Sequence, residues 1–226
     1  MSCRHQTYIK NSYDFINKIK DLNISANTYL VTGDITSLYT NILNRYPEPN
    51  RPDNYILKIL ELILKNNDLE FNGEVLLQTC GCPMEKIIGP AAANIYLIDF
   101  DEAAVNGFRI KPEIFFRFLD DVFLFWNGTL QDLKEYENFL HSLIPGIKIT
   151  PKANLMNANF LDITIYKKYL DNNNIKIATK VYVKPTDTQN LLYTSSFHPP
   201  HNTTKGILRS QLIRYKRISS SYEDYL

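Results

Sequence analysis

Two adjacent aspartates interrupt the most apolar stretch of the sequence. Residues 114–126 read Ile-Phe-Phe-Arg-Phe-Leu-Asp-Asp-Val-Phe-Leu-Phe-Trp, with Asp120 and Asp121 near the centre. The β-branched and aromatic content predicts a strand, a turn and a second strand, with both carboxylates at the tip. Carboxylates in apolar surroundings are costly unless an opposite charge compensates them, and Mg²⁺ prefers such oxygen ligands. The alternative is a tight turn whose two aspartates face water.

A third carboxylate ends another apolar run. Residues 28–42 begin as an apolar strand, and that run ends at Asp34. Metal ligands and catalytic groups commonly stand at strand ends. Asp34 and Asp120 on adjacent strands could hold two metal ions roughly 4 Å apart, the arrangement used for phosphoryl transfer. The alternative for Asp34 alone is a helix N-cap.

Residues 78–96 combine a tight turn with a helix rich in small residues. Gly81 and Pro83 mark the turn, and Gly89-Pro90 opens the helix. Three alanines at 91–93 would let a neighbouring element approach closely. Composition alone favours a helix that packs on a sheet.

The remaining patterns predict an α+β protein. Helices are expected at 11–22, 55–66, 90–105, 130–143 and 205–219, strands at 29–35, 147–150, 160–168 and 175–183, and hairpins at 69–77 and 113–126. A turn is expected at 171–174. This order suits an antiparallel sheet backed by helices.

Charge and cysteine content narrow the functional classes. The chain of 226 residues can bury one core, and its net charge of +1 is low for a free-standing nucleic-acid binder. Its C-terminal part is nevertheless basic, with Lys205, Arg209, Arg214, Lys216 and Arg217 and no acid between them. Three irregularly spaced cysteines predict neither a disulfide framework nor a zinc site. Without an apolar leader or a long apolar segment, we expect an intracellular protein that does not associate with membranes.

Together these segments resemble, in order, the reverse transcriptase palm of the Penelope-like retroelement family. Gly-Asp-Ile-Thr-Ser-Leu-Tyr-Thr-Asn-Ile at 33–42 resembles the first catalytic motif, and Arg-Phe-Leu-Asp-Asp at 117–121 resembles the metal-binding hairpin. Residues 78–94 resemble the motif that contacts template and nucleotide. Further similarity follows at 159–166, 184–187, 193–201 and 210–218. Each motif is weak alone, but their order makes the resemblance specific.

The resemblance implies an RNA-directed DNA polymerase. It implies a palm over residues 1–185, with incomplete fingers, and a thumb-like basic helical segment over 186–226. The partners would be an RNA template, a DNA primer and deoxynucleotide triphosphates. The cofactor would be two Mg²⁺ ions, with Mn²⁺ as a substitute.

It also implies roles for particular residues. Asp34 and Asp120 would bind both metal ions, and Asp121 would support them. Backbone amides from Ile35 to Tyr39 would hold the triphosphate, with Tyr39 placed to exclude a ribose 2′-hydroxyl. For Tyr39 the alternative is an ordinary packed tyrosine.

Other positions would contact nucleic acid or the leaving group. Gln78, Pro90 and Asn94 would pack against the template–nucleotide pair, and Lys148 would donate a proton to pyrophosphate unless it is simply solvated. Phe160 and Leu161 would begin a primer-gripping hairpin, although they suit a core equally well. The basic residues between 205 and 217 would contact the nucleic-acid backbone.

The chain departs from the family pattern in three places. Glu85 stands where the family has Gly, and a negative side chain there should repel phosphate. Gly89 replaces Ala, and the fingers motifs expected ahead of Tyr8 are not found. We therefore expect a fragment or a decayed copy with little or no DNA synthesis activity. The alternatives are a non-catalytic nucleic-acid-binding remnant that uses its C-terminal helix and, more distantly, a palm-fold nucleotidyl cyclase.

Overall fold

The computed structural model describes most of the chain in two compact units. The described residues are 7–36, 55, 58, 59, 61–63, 66, 68–77, 88–170, 175–187 and 205–225. The first unit consists of Met1–Thr7, Gly33–Lys111 and Thr129–Pro151, and the second of Tyr8–Thr32, Pro112–Gly128 and Lys152–Leu226.

Helices and antiparallel strands both occur, so the predicted α+β class is confirmed. The helices are α1 (Ser12–Ile19), α2 (Ile88–Tyr96), α3 (Ile98–Asn106), α4 (Leu130–Leu143) and α5 (Lys205–Ile218). The strands are β1 (Tyr29–Thr36), β2 (Asp68–Phe71), β3 (Glu74–Leu77), β4 (Ile114–Phe118), β5 (Asp121–Trp126), β6 (Lys148–Ile149), β7 (Lys152–Asn154), β8 (Asn157–Phe160), β9 (Ile163–Tyr169) and β10 (Ile175–Val181). Residues 55, 58, 59 and 61–63 are also helical, as predicted.

The second unit contains two sets of strands. The hairpin β4–β5 lies beside β1, whose residues Leu30–Thr32 also pair antiparallel with β7. Strands β8, β9 and β10 form a second antiparallel sheet. Helix α1 joins the core through Phe15, whose ring meets Phe123 edge-on at 5.0 Å and lies 4.7 Å from Phe160. The side chain of Asn11 caps this helix by accepting from the amides of Tyr13 and Asp14.

A buried lysine completes the second unit. The ammonium of Lys167 donates to the backbone carbonyls of Ser25, Ala26 and Thr28 at 3.0, 2.8 and 2.6 Å. Burial lowers the pKa of Lys167, because the low-dielectric interior disfavours its charged form. The three carbonyls offset the cost of burying the ammonium. The same hydrogen bonds fix the backbone just before β1 begins.

The first unit is built around α4. Thr129 caps it: its hydroxyl accepts from the Asp132 amide at 3.1 Å, and Asp132 accepts from the Thr129 amide at 3.0 Å. The Thr129 hydrogen bonds, followed by the Arg109 guanidinium, lower the pKa of Asp132. On the buried side, the Tyr136 hydroxyl donates to the Ala104 carbonyl at 2.8 Å. Burial raises the pKa of Tyr136 far above its ordinary value.

Several sequence predictions were wrong in detail. The helix predicted at 90–105 is two helices, because Leu97 leaves helical geometry at φ −89°, ψ 5°; acidic Asp99 and Asp101 then suit the N-terminus of α3. The strand predicted at 160–168 begins only at Ile163, because Phe160 ends the preceding strand. Strands β7 and β8 were missed, since 152–159 is too polar to show an apolar alternation.

Other predictions stand or lie outside the described residues. The hairpin at 69–77 is confirmed, with Asn72 and Gly73 in its turn at φ 54° and 83°. The helix at 130–143 and the hairpin at 113–126 are confirmed as well. The turn at 171–174 and the predicted domain boundary at 185/186 stay predictions. Among the described residues, no helix has both the length and the apolar character that crossing a membrane requires.

Candidate active site

The acidic pair lies at a tight hairpin turn. Because Phe118 pairs with Asp121, only Leu119 and Asp120 form the turn between β4 and β5. Leu119 has φ 53°, a left-handed conformation that two-residue hairpins favour but that a leucine seldom adopts. Such outliers persist where surrounding contacts impose them, and they cluster at functional sites.

Buried neighbours support this turn. Asp120 and Asp121 are half-buried, whereas Val122 and the residues after it in β5 are fully buried. The guanidinium of Arg117 is also buried, and its Nη1 donates to the Leu119 carbonyl at 2.9 Å. Two carboxylates held at a partly desolvated turn suit a hard divalent cation that binds oxygen.

A groove of about 700 Å³ opens beside Asp121 within the second unit. Its charged lining comprises Asp121, Asp162, Lys152 and Lys184, and asparagines and Tyr182 add hydrogen-bonding groups. No sequence pattern predicts this groove. Lys152 and Lys184 are isolated basic residues that only the folded chain brings to one surface.

A second Phe-Leu-Asp turn lines the same groove. Phe160 pairs with Ile163, so Leu161 and Asp162 form the turn between β8 and β9, and Leu161 has φ 56°. The two predicted primer-grip residues therefore separate: Phe160 is buried in the core, and Leu161 lines the groove.

Asp162 is held from two other elements. One carboxylate oxygen accepts from the Ser12 hydroxyl at the start of α1. The other accepts from Arg214 in α5, from Nε at 2.8 Å and from Nη2 at 2.6 Å. The guanidinium of Arg214, a predicted nucleic-acid contact, is thus paired within the protein.

In the first unit, Asp34 lies on an exposed strand face. It stands inside β1, so the N-cap alternative is wrong. Ile35 is buried, whereas Asp34 and Thr36 on the other face are exposed. Lys148 pairs directly with Thr36 and therefore shares the face of Asp34, because cross-strand partners point the same way. Lys148 is exposed to solvent, and its proton transfer stays a prediction.

A glycine beside Asp34 allows strand β6 to approach. A Cβ built on Gly33 would stand 2.8 Å from Cγ2 of Ile149, closer than carbon atoms can pack. The glycine therefore sets the spacing of β1 and β6 next to the carboxylate.

The predicted metal site draws on both units. Asp34 belongs to the first unit, and Asp120 and Asp121 belong to the second, so their convergence stays a prediction. Within the described ranges, no group of three or more His, Cys, Asp or Glu side chains is gathered as a metal site. One or two carboxylates with substrate phosphates suffice for Mg²⁺, so the residues present fit the ion.

The other predicted nucleotide and template contacts are partly described. Pro90 and Asn94 are half-buried in α2. Tyr39 and Gln78, together with Glu85, lie outside the described residues, so their predicted roles are unchanged.

The basic helix α5 packs on an unexpected side. Ile207, Gln211, Arg214 and Ile218 form its less exposed side. Helical spacing predicts one apolar side made of Ile207, Leu208, Leu212, Ile213 and Ile218. This prediction is wrong for Leu208, Leu212 and Ile213, which are 49%, 48% and 41% exposed. Most of the basic residues do face outward: Arg209, Lys216 and Arg217 are exposed, and Arg217 lies over the Tyr13 ring at 5.5 Å. The Lys205 side chain is outside the described part.

Comparisons with known proteins give two similar structures. The chain is similar to an apo telomerase from Candida tropicalis truncated from its C-terminal domain, with 10% identity, a TM-score of 0.48, and coverage of 72% of this chain and 40% of that one. It is also similar to the RNA-dependent RNA polymerase of a human picorbirnavirus, with 13% identity, a TM-score of 0.46, and coverage of 74% and 35%. The chain thus spans well under half of either protein. No family model and no curated protein sequence matches it.

Proposed function

We propose that the chain is a reverse transcriptase domain of the Penelope-like kind, with a polymerase palm that performs two-metal nucleotidyl transfer. The observation that carries the proposal is the acidic turn of β4–β5, in which left-handed Leu119 precedes Asp120 and Asp121 at the tip of a buried hairpin. A turn of this kind fixes two carboxylates in a partly dry setting without covering them.

Different residues of the chain would bind the metal ions and transfer the proton. Asp34 and Asp120 would hold the two metal ions, and Asp121 would add charge beside them. When bound, Mg²⁺ ions activate a primer 3′-hydroxyl and stabilise charge on departing pyrophosphate. Lys148, on the same strand face as Asp34, would donate a proton toward that leaving group.

The groove beside Asp121 would take the nucleic acid. Lys152 and Lys184 supply positive charge for phosphates, and Leu161 gives an apolar contact for a sugar or base. The exposed Arg209 and Lys216 of α5 would bind backbone phosphates elsewhere on an RNA–DNA duplex.

One observation favours a second candidate function. The exposed basic and apolar residues of α5 could bind nucleic acid without catalysis, because sequence-independent binding needs only phosphate contacts. The chain would then be a binding remnant in which the acidic turn is no longer used.

Primer extension separates the two functions. The assay uses an RNA template, a DNA primer, deoxynucleotides, and Mg²⁺ or Mn²⁺. We expect slow synthesis that Asp120→Asn and Asp34→Asn each reduce at least about 100-fold, since a two-metal centre loses a ligand. Asp21→Asn, an exposed acid of the second unit, is the matched control and should leave the rate unchanged. Duplex binding without any Asp120-dependent synthesis would favour the binding remnant.

A further inference from the structure

Arg117 is a buried charge in an otherwise apolar strand. Arg117 is 1% exposed. Every other residue of β4 is apolar: Ile114, Phe115, Phe116 and Phe118. A buried guanidinium is costly unless it makes well-directed hydrogen bonds, so its position calls for a specific purpose.

The side chain reaches over the acidic turn. Nη1 donates to the Leu119 carbonyl at 2.9 Å, and the Arg117 main chain is fixed as well, because its carbonyl accepts from the Ile9 amide at 2.9 Å. The Leu119 carbonyl belongs to the planar peptide that joins Leu119 to Asp120. A hydrogen bond to that oxygen therefore fixes the plane from which the Asp120 side chain departs.

The second Phe-Leu-Asp turn shows a different solution. There the position that corresponds to Arg117 is Asn159, which accepts a hydrogen bond from Thr164. The Leu161–Asp162 turn is held instead through the Asp162 carboxylate, by Ser12 and Arg214. The Asp162 carboxylate therefore holds the second turn. In the first turn, Arg117 instead binds the main-chain oxygen of Leu119 and not the Asp120 carboxylate.

We propose that Arg117 is a positioning residue for the acidic turn. It keeps the Leu119–Asp120 peptide in its left-handed arrangement, so that Asp120 and Asp121 present their carboxylates to a divalent cation. The cation part of this inference rests on the proposed function, and the turn-holding part does not. Lysine cannot replace the arginine fully, because a single ammonium lacks the planar fork that fixes direction.

The test compares substitutions of two buried, positively charged side chains of the second unit. Arg117→Met and Arg117→Lys are compared with Lys167→Met, since Lys167 is also buried but bonds to carbonyls at 25–28. The first readout is the one-bond Cα–Hα coupling of Leu119 in leucine-labelled protein, which distinguishes positive from negative φ. The second is the Kd for Mn²⁺ from calorimetric titration, with Asp120→Asn as the reference for a lost ligand.

We expect Arg117→Met to lose the positive-φ coupling and to weaken Mn²⁺ binding about 10- to 100-fold, as groups that orient metal ligands do. Arg117→Lys should give a coupling and a Kd for Mn²⁺ between those of the unchanged protein and Arg117→Met. Lys167→Met should change neither readout. An unchanged Leu119 coupling in both Arg117 variants overturns the inference, whatever Mn²⁺ does. If Arg117→Met does not fold, Arg117→Lys decides by the same coupling. If Asp120→Asn binds Mn²⁺ like the unchanged protein, the proposed function fails, and the coupling still decides the role of Arg117.

Discussion

Leu119 and Leu161 occupy the same place in two Phe-Leu-Asp turns, and both have left-handed backbone, with φ 53° and 56°. Each is the first of two residues that join paired antiparallel strands. The handedness matches the right-handed twist of the flanking strands, which makes positive φ the favoured choice in such short loops. Leucine bears a cost there that glycine would not, because its Cβ crowds the backbone.

This cost predicts an inverted order of two substitutions at Leu161. Leu161→Ala and Leu161→Gly both remove the side chain, but only glycine relieves the left-handed strain. We expect Leu161→Gly to be more stable than Leu161→Ala by about 1 kcal/mol in urea unfolding. At exposed Lys168, in regular β9, alanine should be the more stable of the pair. Alanine more stable than glycine at both sites would contradict the structural account of the turn.

The ion pair between Asp162 and Arg214 predicts energetic coupling between α5 and the second turn. Asp162→Ala and Arg214→Ala should each lower the free energy of unfolding by about 1 kcal/mol. The expected loss is this small because the arginine is partly exposed and solvent screens the ion pair. The double variant should cost less than the sum, because both changes remove the same contact. Arg209→Ala, on the exposed side of α5, should change stability by less than about 0.5 kcal/mol. Strict additivity would mean that the pair does not contribute.

Nucleic-acid affinity should depend on Arg214 only when Asp162 is absent. In the unchanged protein, Arg209→Ala and Lys216→Ala should each reduce the salt dependence of RNA–DNA hybrid binding by about one counterion. Arg214→Ala should have little effect there, because its guanidinium is already paired. In an Asp162→Asn background, Arg214→Ala should weaken binding. A large effect of Arg214→Ala with Asp162 intact would show that phosphate displaces the carboxylate.

Stability at alkaline pH should depend on Tyr166. Burial, together with the hydrogen bond to Asp224, raises the pKa of Tyr166 to about 12, above its ordinary value of 10.0. A raised folded pKa contributes stability that is fully present below pH 10 and is lost as the pH rises toward 12.

Unfolding at several pH values checks this expectation. The free energy of unfolding of Tyr166→Phe should fall less between pH 10 and 12 than that of the unchanged protein, because phenylalanine does not titrate. Below pH 9 the difference between the two should be constant. Parallel curves across the whole range would mean that the tyrosine has no perturbed titration.

Local rules explain what could be predicted from the sequence. The hairpin around Asp120 and Asp121 follows from an apolar run with a polar break, and the start of α4 follows from the capping chemistry of Thr129. Asn72-Gly73 predicts its own turn because both residues accept positive φ. In each case the determining residues lie within a few positions of one another.

Long-range contacts decided the rest. Leu161 and Asp162 form a turn rather than a strand because Ser12 and Arg214, distant in sequence, hold the Asp162 carboxylate. The same pairing turns Arg214 of α5 inward, whereas Leu208, Leu212 and Ile213 stay exposed, against the prediction from helical periodicity. The groove and the burial of Arg117 likewise arise only when separate strands meet. The sequence by itself determined that this chain carries paired carboxylates at a hairpin tip. The tertiary structure decided which basic and polar groups surround those carboxylates, because these neighbours come from segments that no local pattern links.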